Sequence, residues 1–293
     1  MRVAVTGSSG LIGRALVARL QARGDEVVRL RRGGDGPDTW DPASGSVAPG
    51  ALEGVAAVVH LAGAPVAGRR WNAGYKSEIL RSRVEGTSTV ARAAAGAGVG
   101  VMVSASAVGW YGADRGDEPL EETSSGGDDF LGRVCREWEA ATGPASEAGV
   151  RVANVRTGIV LSAAGGALSP QLPLFRVGLG ARLGSGRQWT SWIGIEDEVG
   201  GILHVLDTDL AGPVNLTAPE PVTNAEFTRT LASVLHRPAF LAVPAAVIRL
   251  ALGREMADET LLAGQRVLPS RLTSSGYRFA HPDLRGALGA VLG

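Results

Sequence analysis

The stretch Thr6-Gly7-Ser8-Ser9-Gly10-Leu11-Ile12-Gly13 decides the fold of this chain. It follows an apolar run at residues 1–5 that predicts a buried strand. It leads into residues 11–23, where apolar residues recur every four positions as in a helix. A glycine-rich turn in this place lets backbone N–H groups approach a pyrophosphate, whereas the alternative, an ordinary glycine turn, is disfavoured by the flanking strand and helix. The turn predicts a dinucleotide site made by Gly7, Ser9, Gly10, Leu11, Ile12 and Gly13.

Strand and helix patterns alternate along the first half of the chain. They predict an α/β fold with a doubly wound parallel sheet of the Rossmann type. We expect residues 1–161 to form the dinucleotide-binding domain, to which residues 192–217 return. Residues 162–191 and 218–293 are expected to form a smaller, mainly helical C-terminal substrate domain. A ligand would lie between that domain and the carboxyl ends of the strands.

The composition of the 293-residue chain is balanced, with 29 basic and 29 acidic residues. It gives no reason to expect nucleic acid or a membrane surface as a partner. The single cysteine, Cys135, excludes an internal disulfide and fits a reducing compartment. The apolar run at residues 241–252 is too short to span a bilayer. We therefore expect a cytoplasmic protein whose partner is a small-molecule substrate.

The second predicted strand ends in Arg31-Arg32, where NAD-binding folds usually carry an acidic residue for the ribose hydroxyls. The next carboxylate along the chain is Asp35. Two guanidinium groups favour a 2′-phosphate through charge-assisted hydrogen bonds, and Arg14 could add to the same pocket. The sequence therefore favours NADP(H) over NAD(H). The alternative is that both arginines are solvated surface charges.

Three further segments carry a resemblance to a known family: His60 to Gly63, Ser104 to Gly112, and Arg156 to Leu161. With the glycine-rich turn, they resemble the extended short-chain dehydrogenases/reductases. The likeness is closer still to an atypical epimerase-family subgroup related to sugar-nucleotide epimerases, and it covers nearly the whole chain. It implies a nicotinamide cofactor, oxidoreductase or epimerase chemistry, and a homodimer formed through the long helices. Cofactor contacts are expected at Leu61, Ala62, Gly63 and Ser104.

The proton-transfer residues that the resemblance implies are only partly present. Ser106 stands where the family serine orients the substrate oxygen. The tyrosine and lysine places hold Leu131 and Cys135, and the only lysine of the chain is Lys76, so no Tyr-x-x-x-Lys pair exists. Glu139 matches a carboxylate that is often found further along the same helix.

A third departure concerns the family asparagine, whose place holds Arg83. This arginine could bind a phosphate or carboxylate of the cofactor or substrate, or it could be a surface or salt-bridged side chain. Tyr111, just past the Ser106 strand, could face the nicotinamide or be a packing aromatic. Cys135 could be a nucleophile, although a lone cysteine within a helix is more often a small buried apolar residue. The four histidines lack metal-ligand spacing, so we expect no metal site.

Two functions remain open from the sequence alone. The first is an NADP-dependent oxidoreductase or epimerase acting on a small carbonyl, alcohol or nucleotide-linked sugar, with Ser106 holding the substrate and Tyr111 or water as acid or base. The second is an NADP(H)-binding sensor or scaffold without turnover. The missing Tyr/Lys pair favours the second function, whereas the glycine turn and Ser106 favour the first.

Overall fold

The computed structural model describes all residues from 1 to 293. Its strands, in chain order, are β1 (Arg2–Thr6), β2 (Glu26–Arg32), β3 (Thr39–Asp41), β4 (Ser46–Val47), β5 (Ala57–His60), β6 (Val101–Ala107), β7 (Asp114–Leu120), β8 (Arg151–Thr157), β9 (Ile159–Leu161), β10 (Ala181–Leu183), β11 (Trp189–Thr190), β12 (Trp192–Gly194), β13 (Gly212–Leu216), β14 (Val222–Thr223), β15 (Leu241–Val243) and β16 (Gly264–Val267). Its helices are α1 (Leu11–Ala22), α2 (Ala73–Gly96), α3 (Phe130–Ala140), α4 (Gly143–Glu147), α5 (Leu172–Arg176), α6 (Ile195–Asp207), α7 (Asn224–Val234), α8 (Ala245–Leu252), α9 (Arg254–Glu259), α10 (Ser270–Ser274) and α11 (Leu284–Leu292).

The main sheet has eight strands in the order β13-β8-β6-β5-β1-β2-β3-β4. β1 pairs in parallel with both β2 and β5, and β5 pairs in parallel with β6. The strand order reverses at β1, because the chain passes first to β2 on one side and later to β5 on the other. Ligands of open α/β sheets bind beyond the carboxyl ends of the strands at such a point. The predicted Rossmann-type sheet is confirmed.

The central strands are buried on both faces. Residues 3–5 of β1 and 57–59 of β5 have no exposed surface. Continuous apolar runs, rather than alternating ones, suit strands that helices cover on both sides. Helix α1 contributes Leu16, Val17 and Leu20 to the buried interior, as the four-residue spacing of its apolar side chains predicts.

The helices differ from expectation in one place. The apolar spacing at residues 72–98 predicts one long helix, and α2 lies there, capped by Asn72, which accepts a hydrogen bond of 2.9 Å from the Tyr75 N–H. The pattern at residues 128–147 also predicts a single helix, which the structure divides into α3 and α4. Pro144 explains the break, because it lacks an N–H and fits only the first turn of a new helix. None of the helices combines the length and the apolar character that crossing a membrane requires.

The chain divides into two compact units. The first unit comprises residues 1–106, 134–155 and 199–214, and the second comprises residues 107–133, 156–198 and 215–293. These ranges differ from the expected domains chiefly at residues 107–133 and 192–198, which belong to the second unit. The assignment of residues 162–191 and 218–293 as a substrate domain remains a prediction.

The second unit has an apolar core of its own, which includes Leu168, Phe175, Trp192, Phe227 and Leu288. Within it, β7 pairs in parallel with β16, β10 pairs in parallel with β15, and β11 pairs with β14. Residues 162–191, whose Gly, Pro and Ser content predicts a long loop-like excursion, contain a short helix, α5, and two short strands, β10 and β11. Such brief elements are hard to predict because each is stabilised by partners far away in the sequence.

Candidate functional site

The glycine-rich turn after β1 is built by close backbone contacts. Gly7 has a positive φ of +65°, and a Cβ there would lie 2.8 Å from the carbonyl carbon of Leu61. A Cβ on Gly13 would lie 2.1 Å from the Gly7 oxygen. Both positions therefore need glycine for the turn itself. Gly10 differs, because its φ is −72° and the nearest atom to an added Cβ is 3.2 Å away.

The turn leaves the start of α1 open to an anion. Gly10 is the N-cap and has no side chain to accept hydrogen bonds from the first turn. The N–H groups of Leu11 and Ile12 have no acceptor within the chain, and Ser9 beside them is exposed. Free N–H groups and the positive end of the helix dipole together suit a phosphate group. The predicted pyrophosphate residues are thus brought together.

Two arginine side chains place positive charge at the end of β2. Arg31 and Arg32 are both exposed, and neither side chain has a hydrogen bond or ion pair in the chain. Arg14 is also exposed and donates a hydrogen bond of 2.6 Å to the Ser9 carbonyl. Guanidinium groups without partners can form bidentate hydrogen bonds with a phosphate. Arg31 and Arg32 are therefore suited to bind the 2′-phosphate, and Arg14 adds positive charge to the exposed surface of the same unit.

The loop after β5 is anchored to β1 by a buried pair. Thr6 Oγ1 and His60 Nδ1 share a hydrogen bond of 2.7 Å, and the Leu61 N–H donates to Thr6 Oγ1 at 3.2 Å. Complete burial lowers the pKa of His60 to about 4, so its imidazole is neutral at physiological pH. The pair fixes the start of the segment Leu61 to Gly63 beside the glycine turn.

Arg83 supports the same loop from α2. Its guanidinium donates to the carbonyls of Ala64 at 2.9 Å and Ile79 at 3.1 Å, and it lies 4.7 Å from the ring centroid of Trp138. A Cβ on Gly63 would lie 3.5 Å from its Cζ atom. Only 8 % of Arg83 is exposed, and burial lowers its pKa. Arg83 is therefore a buried cation in contact with the predicted cofactor loop, rather than a surface arginine.

The predicted catalytic serine has a carboxylate partner. Ser106, 4 % exposed at the end of β6, donates a hydrogen bond of 2.6 Å from Oγ to Glu139 Oε1. Ser104 on the same strand is buried and makes only a long contact of 3.4 Å to the Ala105 carbonyl. The sequence did not predict the Ser106–Glu139 contact. The spacing of Cys135 and Glu139, one turn apart on α3, places them on one face of the helix, but it does not indicate Ser106 as the partner of Glu139.

Two positions of the family proton machinery hold side chains that cannot transfer protons in the usual way. Leu131 is apolar, and its N–H donates a hydrogen bond of 2.9 Å to Glu259 Oε2 at the start of α3. Cys135 is buried within the first unit, where it and Tyr75 are electrostatic neighbours of Arg83. The burial of Cys135 agrees with its interpretation as a small apolar residue.

Tyr111 is enclosed in the second unit. Its side chain has no exposed surface, its hydroxyl donates to Asn215 Oδ1 at 2.7 Å, and it accepts a hydrogen bond of 3.2 Å from Arg156. Burial raises the pKa of the phenol. Catalysis by Tyr111 stays a prediction that this geometry does not support, because its hydroxyl is already occupied on both sides. The enclosing residues, Arg156 and Asn215, were not predicted.

Comparison with known proteins identifies relatives along the whole chain. The NAD dependent epimerase/dehydratase family matches residues 3–134, and a domain of unknown function (DUF1731) matches residues 243–291. Epimerase family protein Mb2239 of Mycobacterium bovis is 48% identical over 291 residues, covering 98% of this chain and 96% of that protein. The crystal structure of human epimerase family protein SDR39U1 (isoform 2) with NADPH has a TM-score of 0.91 at 37% identity, covering 99% of both chains. A nucleoside-diphosphate sugar epimerase from Corynebacterium glutamicum has a TM-score of 0.80 at 40% identity, covering 100% of this chain and 58% of that one.

These comparisons agree with the geometry of the first unit. The glycine turn, the open start of α1 and the loop after β5 all fall within the matched residues 3–134. The resemblance inferred from the sequence motifs is confirmed, because identities of 37–48% extend over almost the full length of the chain. The chain belongs to the epimerase family, a branch of the extended short-chain dehydrogenases/reductases.

Proposed function

We propose that the protein binds NADP(H) in its first unit and transfers a hydride between the nicotinamide and a small carbonyl or alcohol substrate, nucleotide-linked sugars included. The free side chains of Arg31 and Arg32, at the place where NAD-specific folds carry a carboxylate, support this choice of cofactor. The human relative, whose structure contains NADPH, gives independent support. When bound, the cofactor supplies or accepts the hydride.

In this proposal, different residues of the first unit bind different parts of the cofactor. The N–H groups of Leu11 and Ile12 bind the pyrophosphate, and Gly10 lets it approach because it has no side chain. Arg31 and Arg32 bind the 2′-phosphate. The loop from Leu61 to Gly63 lines the dinucleotide, and Arg83 holds that loop in place.

Ser106 and Glu139 take over proton transfer in this proposal. Since the Ser106 proton points to Glu139, the lone pairs of Ser106 Oγ remain available to a substrate hydroxyl. During oxidation, the substrate hydroxyl gives its proton to Ser106 Oγ while Ser106 passes its own proton to Glu139. The electron pair of the broken O–H bond becomes the second C–O bond, and the substrate C–H bond breaks to give a hydride that bound NADP+ would accept. Reduction runs through the same steps in reverse, starting from a protonated Glu139.

The test is the oxidation of NADPH with a panel of aldehydes, ketones and nucleotide-sugar substrates. We expect Ser106→Ala and Glu139→Gln to lower kcat by about a hundredfold without changing the Kd of NADPH. Glu137→Gln, an exposed position on the same helix, is the matched control and should retain full activity. An unaltered kcat in Ser106→Ala would remove this serine from the mechanism.

A second candidate function is an NADP(H)-binding protein without turnover. It is favoured by Leu131 and Cys135 at the tyrosine and lysine places, and by the enclosed hydroxyl of Tyr111. Both candidates predict tight NADPH binding, so only turnover separates them. NADPH that stays reduced with every substrate of the panel would favour the second candidate.

A further inference from the structure

A cleft of about 500 Å³ lies wholly within the second unit. Its walls come from the β7 segment Asp114 to Asp117, from residues 184–189, and from the region of α8 and β16. The volume is in the range of small-molecule binding sites. None of the residues proposed to hold NADP(H) lines it, so its function can be tested independently of the proposed hydride transfer.

One wall of the cleft is a tryptophan ring held in a fixed orientation. The indole N–H of Trp189 donates a hydrogen bond of 2.7 Å to Asp117 Oδ1. Arg266, which does not line the cleft, lies 4.9 Å from the ring centroid and covers one face of the indole. Because Trp189 lines the cleft, a ligand held there can contact the indole ring. A flat aromatic surface of this kind accepts the C–H face of a ligand that also carries polar groups.

The polar groups around Trp189 are mixed in sign. Asp117 keeps one carboxylate oxygen after accepting the indole N–H, and Asp114 keeps one after accepting the Gly116 N–H at 3.0 Å. Arg187 makes no side-chain hydrogen bond or ion pair, while Arg249 is paired with a carboxylate outside the cleft at 2.7 Å. The cleft therefore offers hydrogen-bond acceptors and donors together, with two negative and two positive charges.

The mixture of carboxylate and guanidinium groups indicates which class of ligand the cleft binds. The carboxylates of Asp114 and Asp117 would repel a phosphate or nucleoside diphosphate, and the guanidinium groups of Arg187 and Arg249 would repel an amine. A hydroxyl group both donates and accepts, so a ligand with several hydroxyls can satisfy both kinds of side chain. We propose that the cleft binds an uncharged saccharide of one or two rings, with one sugar face stacked on Trp189.

A glycine in the wall provides a variant that adds a side chain to the cleft. Gly116 has a φ of +56°, and an added Cβ would meet no atom within 4 Å. Asparagine tolerates this left-handed conformation better than most residues do, so Gly116→Asn places a side chain in open space. Gly98, in the first unit, has a φ of +65° and equally open surroundings. Gly98→Asn is therefore a matched control for the substitution itself.

The experiment measures saccharide binding to the full chain by saturation-transfer NMR and calorimetry. The probes are glucose, galactose, N-acetylglucosamine, maltose and lactose at millimolar concentration, with UDP and spermidine as charged comparisons. We expect at least one neutral probe to bind, with its affinity lowered about tenfold or more by Trp189→Ala and Gly116→Asn. Gly98→Asn should bind like the wild type. Trp189→Phe, which keeps the aromatic face, should retain most of the affinity.

Three outcomes would overturn the proposal. The first is that no neutral saccharide binds at millimolar concentration. The second is that saccharide binding survives both Trp189→Ala and Gly116→Asn in variants with wild-type thermal unfolding. The third is that UDP or spermidine binds more tightly than the saccharides and loses its affinity in Gly116→Asn. If Trp189→Ala does not fold, Gly116→Asn decides between the outcomes.

Discussion

Each unit buries an arginine against a tryptophan ring, but the surroundings of the two guanidinium groups differ. In the first unit, Arg83 is 8 % exposed, lies 4.7 Å from Trp138 and donates to backbone carbonyls of its own helix and of the loop after β5. In the second unit, Arg156 is 2 % exposed, lies 3.8 Å from Trp110 and donates to the Tyr111 hydroxyl. Arg83 has no acidic partner, and its neighbours are parts of the proposed cofactor site.

The difference indicates that the charged groups of the two units have different roles. In the second unit, Arg156 belongs to a buried network in which Tyr111, Asn215 and Glu122 hydrogen-bond one another or the chain around them. In the first unit, the charged groups Arg31, Arg32 and Arg83 surround the place proposed for the cofactor. We therefore expect substitutions in the second unit to change the free energy of unfolding, and those in the first unit to change cofactor affinity.

The largest effect should come from Glu198, which is fully buried in the second unit with one oxygen accepting from Thr157 at 2.9 Å. Burial raises the pKa of this carboxyl to about 8, against 4.5 when unfolded. Between these values the unfolded state binds fewer protons, so stability is full below pH 4.5 and falls as the pH rises towards 8, by roughly 4 kcal/mol.

Urea unfolding of Glu198→Gln as a function of pH checks this expectation. The variant should lose the decline between pH 4.5 and 8, whereas Glu226→Gln, at an exposed position, should keep it. His60, whose pKa is lowered to about 4, contributes stability that is lost as the pH falls below about 6.5. The informative quantity is therefore the difference between wild type and variant. Parallel pH profiles would contradict the buried neutral state of Glu198.

The second largest effect should follow Arg156→Met. The substitution removes the guanidinium from Trp110 and leaves the Tyr111 hydroxyl without the donor Arg156, which should lower the free energy of unfolding by about 3 kcal/mol. Urea unfolding measures the loss, and Arg229→Met, on the exposed side of α7, is the control. The Kd of NADPH should not change. If Arg156→Met instead weakens NADPH binding and leaves the free energy of unfolding unchanged, the two units do not differ in role as proposed.

The third effect concerns cofactor choice. Arg31→Ala/Arg32→Ala should lower the affinity for NADPH relative to NADH by about a hundredfold, because two charge-assisted contacts to the 2′-phosphate are lost. Calorimetric titration with both nucleotides gives the ratio. Arg29→Ala, an exposed arginine on the same strand, should leave the ratio unchanged. If the ratio of NADPH to NADH affinity is unchanged in the double variant, Arg31 and Arg32 are solvated surface charges.

The smallest effect is expected for Arg83→Met. Because this side chain has no acidic partner, its removal also removes a desolvated charge, so the free energy of unfolding should change by less than about 1 kcal/mol. The loop after β5 loses its support, and we expect the Kd of NADPH to rise about tenfold. Arg92→Met, exposed on the same helix, is the control. A large loss of stability with an unchanged Kd would give Arg83 the same role as Arg156.

Features set by local sequence could be predicted. The glycine turn, the apolar strands β1 and β5, and helix α2 each depend on neighbouring residues, so their spacing was sufficient. The end of β2 at Arg31 and Arg32 could be predicted in the same way, from neighbouring residues. Even the break before α4 had a local cause, since Pro144 stands where a continuous helix needs an N–H.

Features that depend on distant partners could not be predicted. Ser106 and Glu139 are 33 residues apart, and Tyr111 and Asn215 are 104 apart. No spacing rule connects such pairs, because the fold brings them together only after the sheet has formed. That Tyr111 could face the nicotinamide was inferred from the strand that precedes it, whereas its burial depends on Arg156 and Asn215. The cleft beside Trp189 is likewise lined by residues from three separate regions of the sequence.

The three glycines of the first turn have different implications for how relatives of this protein would diverge. Gly7 and Gly13 are required by contacts within the chain, so a descendant that no longer bound any nucleotide would still have to keep them in order to fold. Gly10 is less constrained, because its φ is negative and an added Cβ would lie 3.2 Å from the Gly7 oxygen, so we expect it to drift to other residues once selection for the ligand ends. The persistence of Gly10, rather than of the whole glycine motif, is therefore the better record of a working cofactor site.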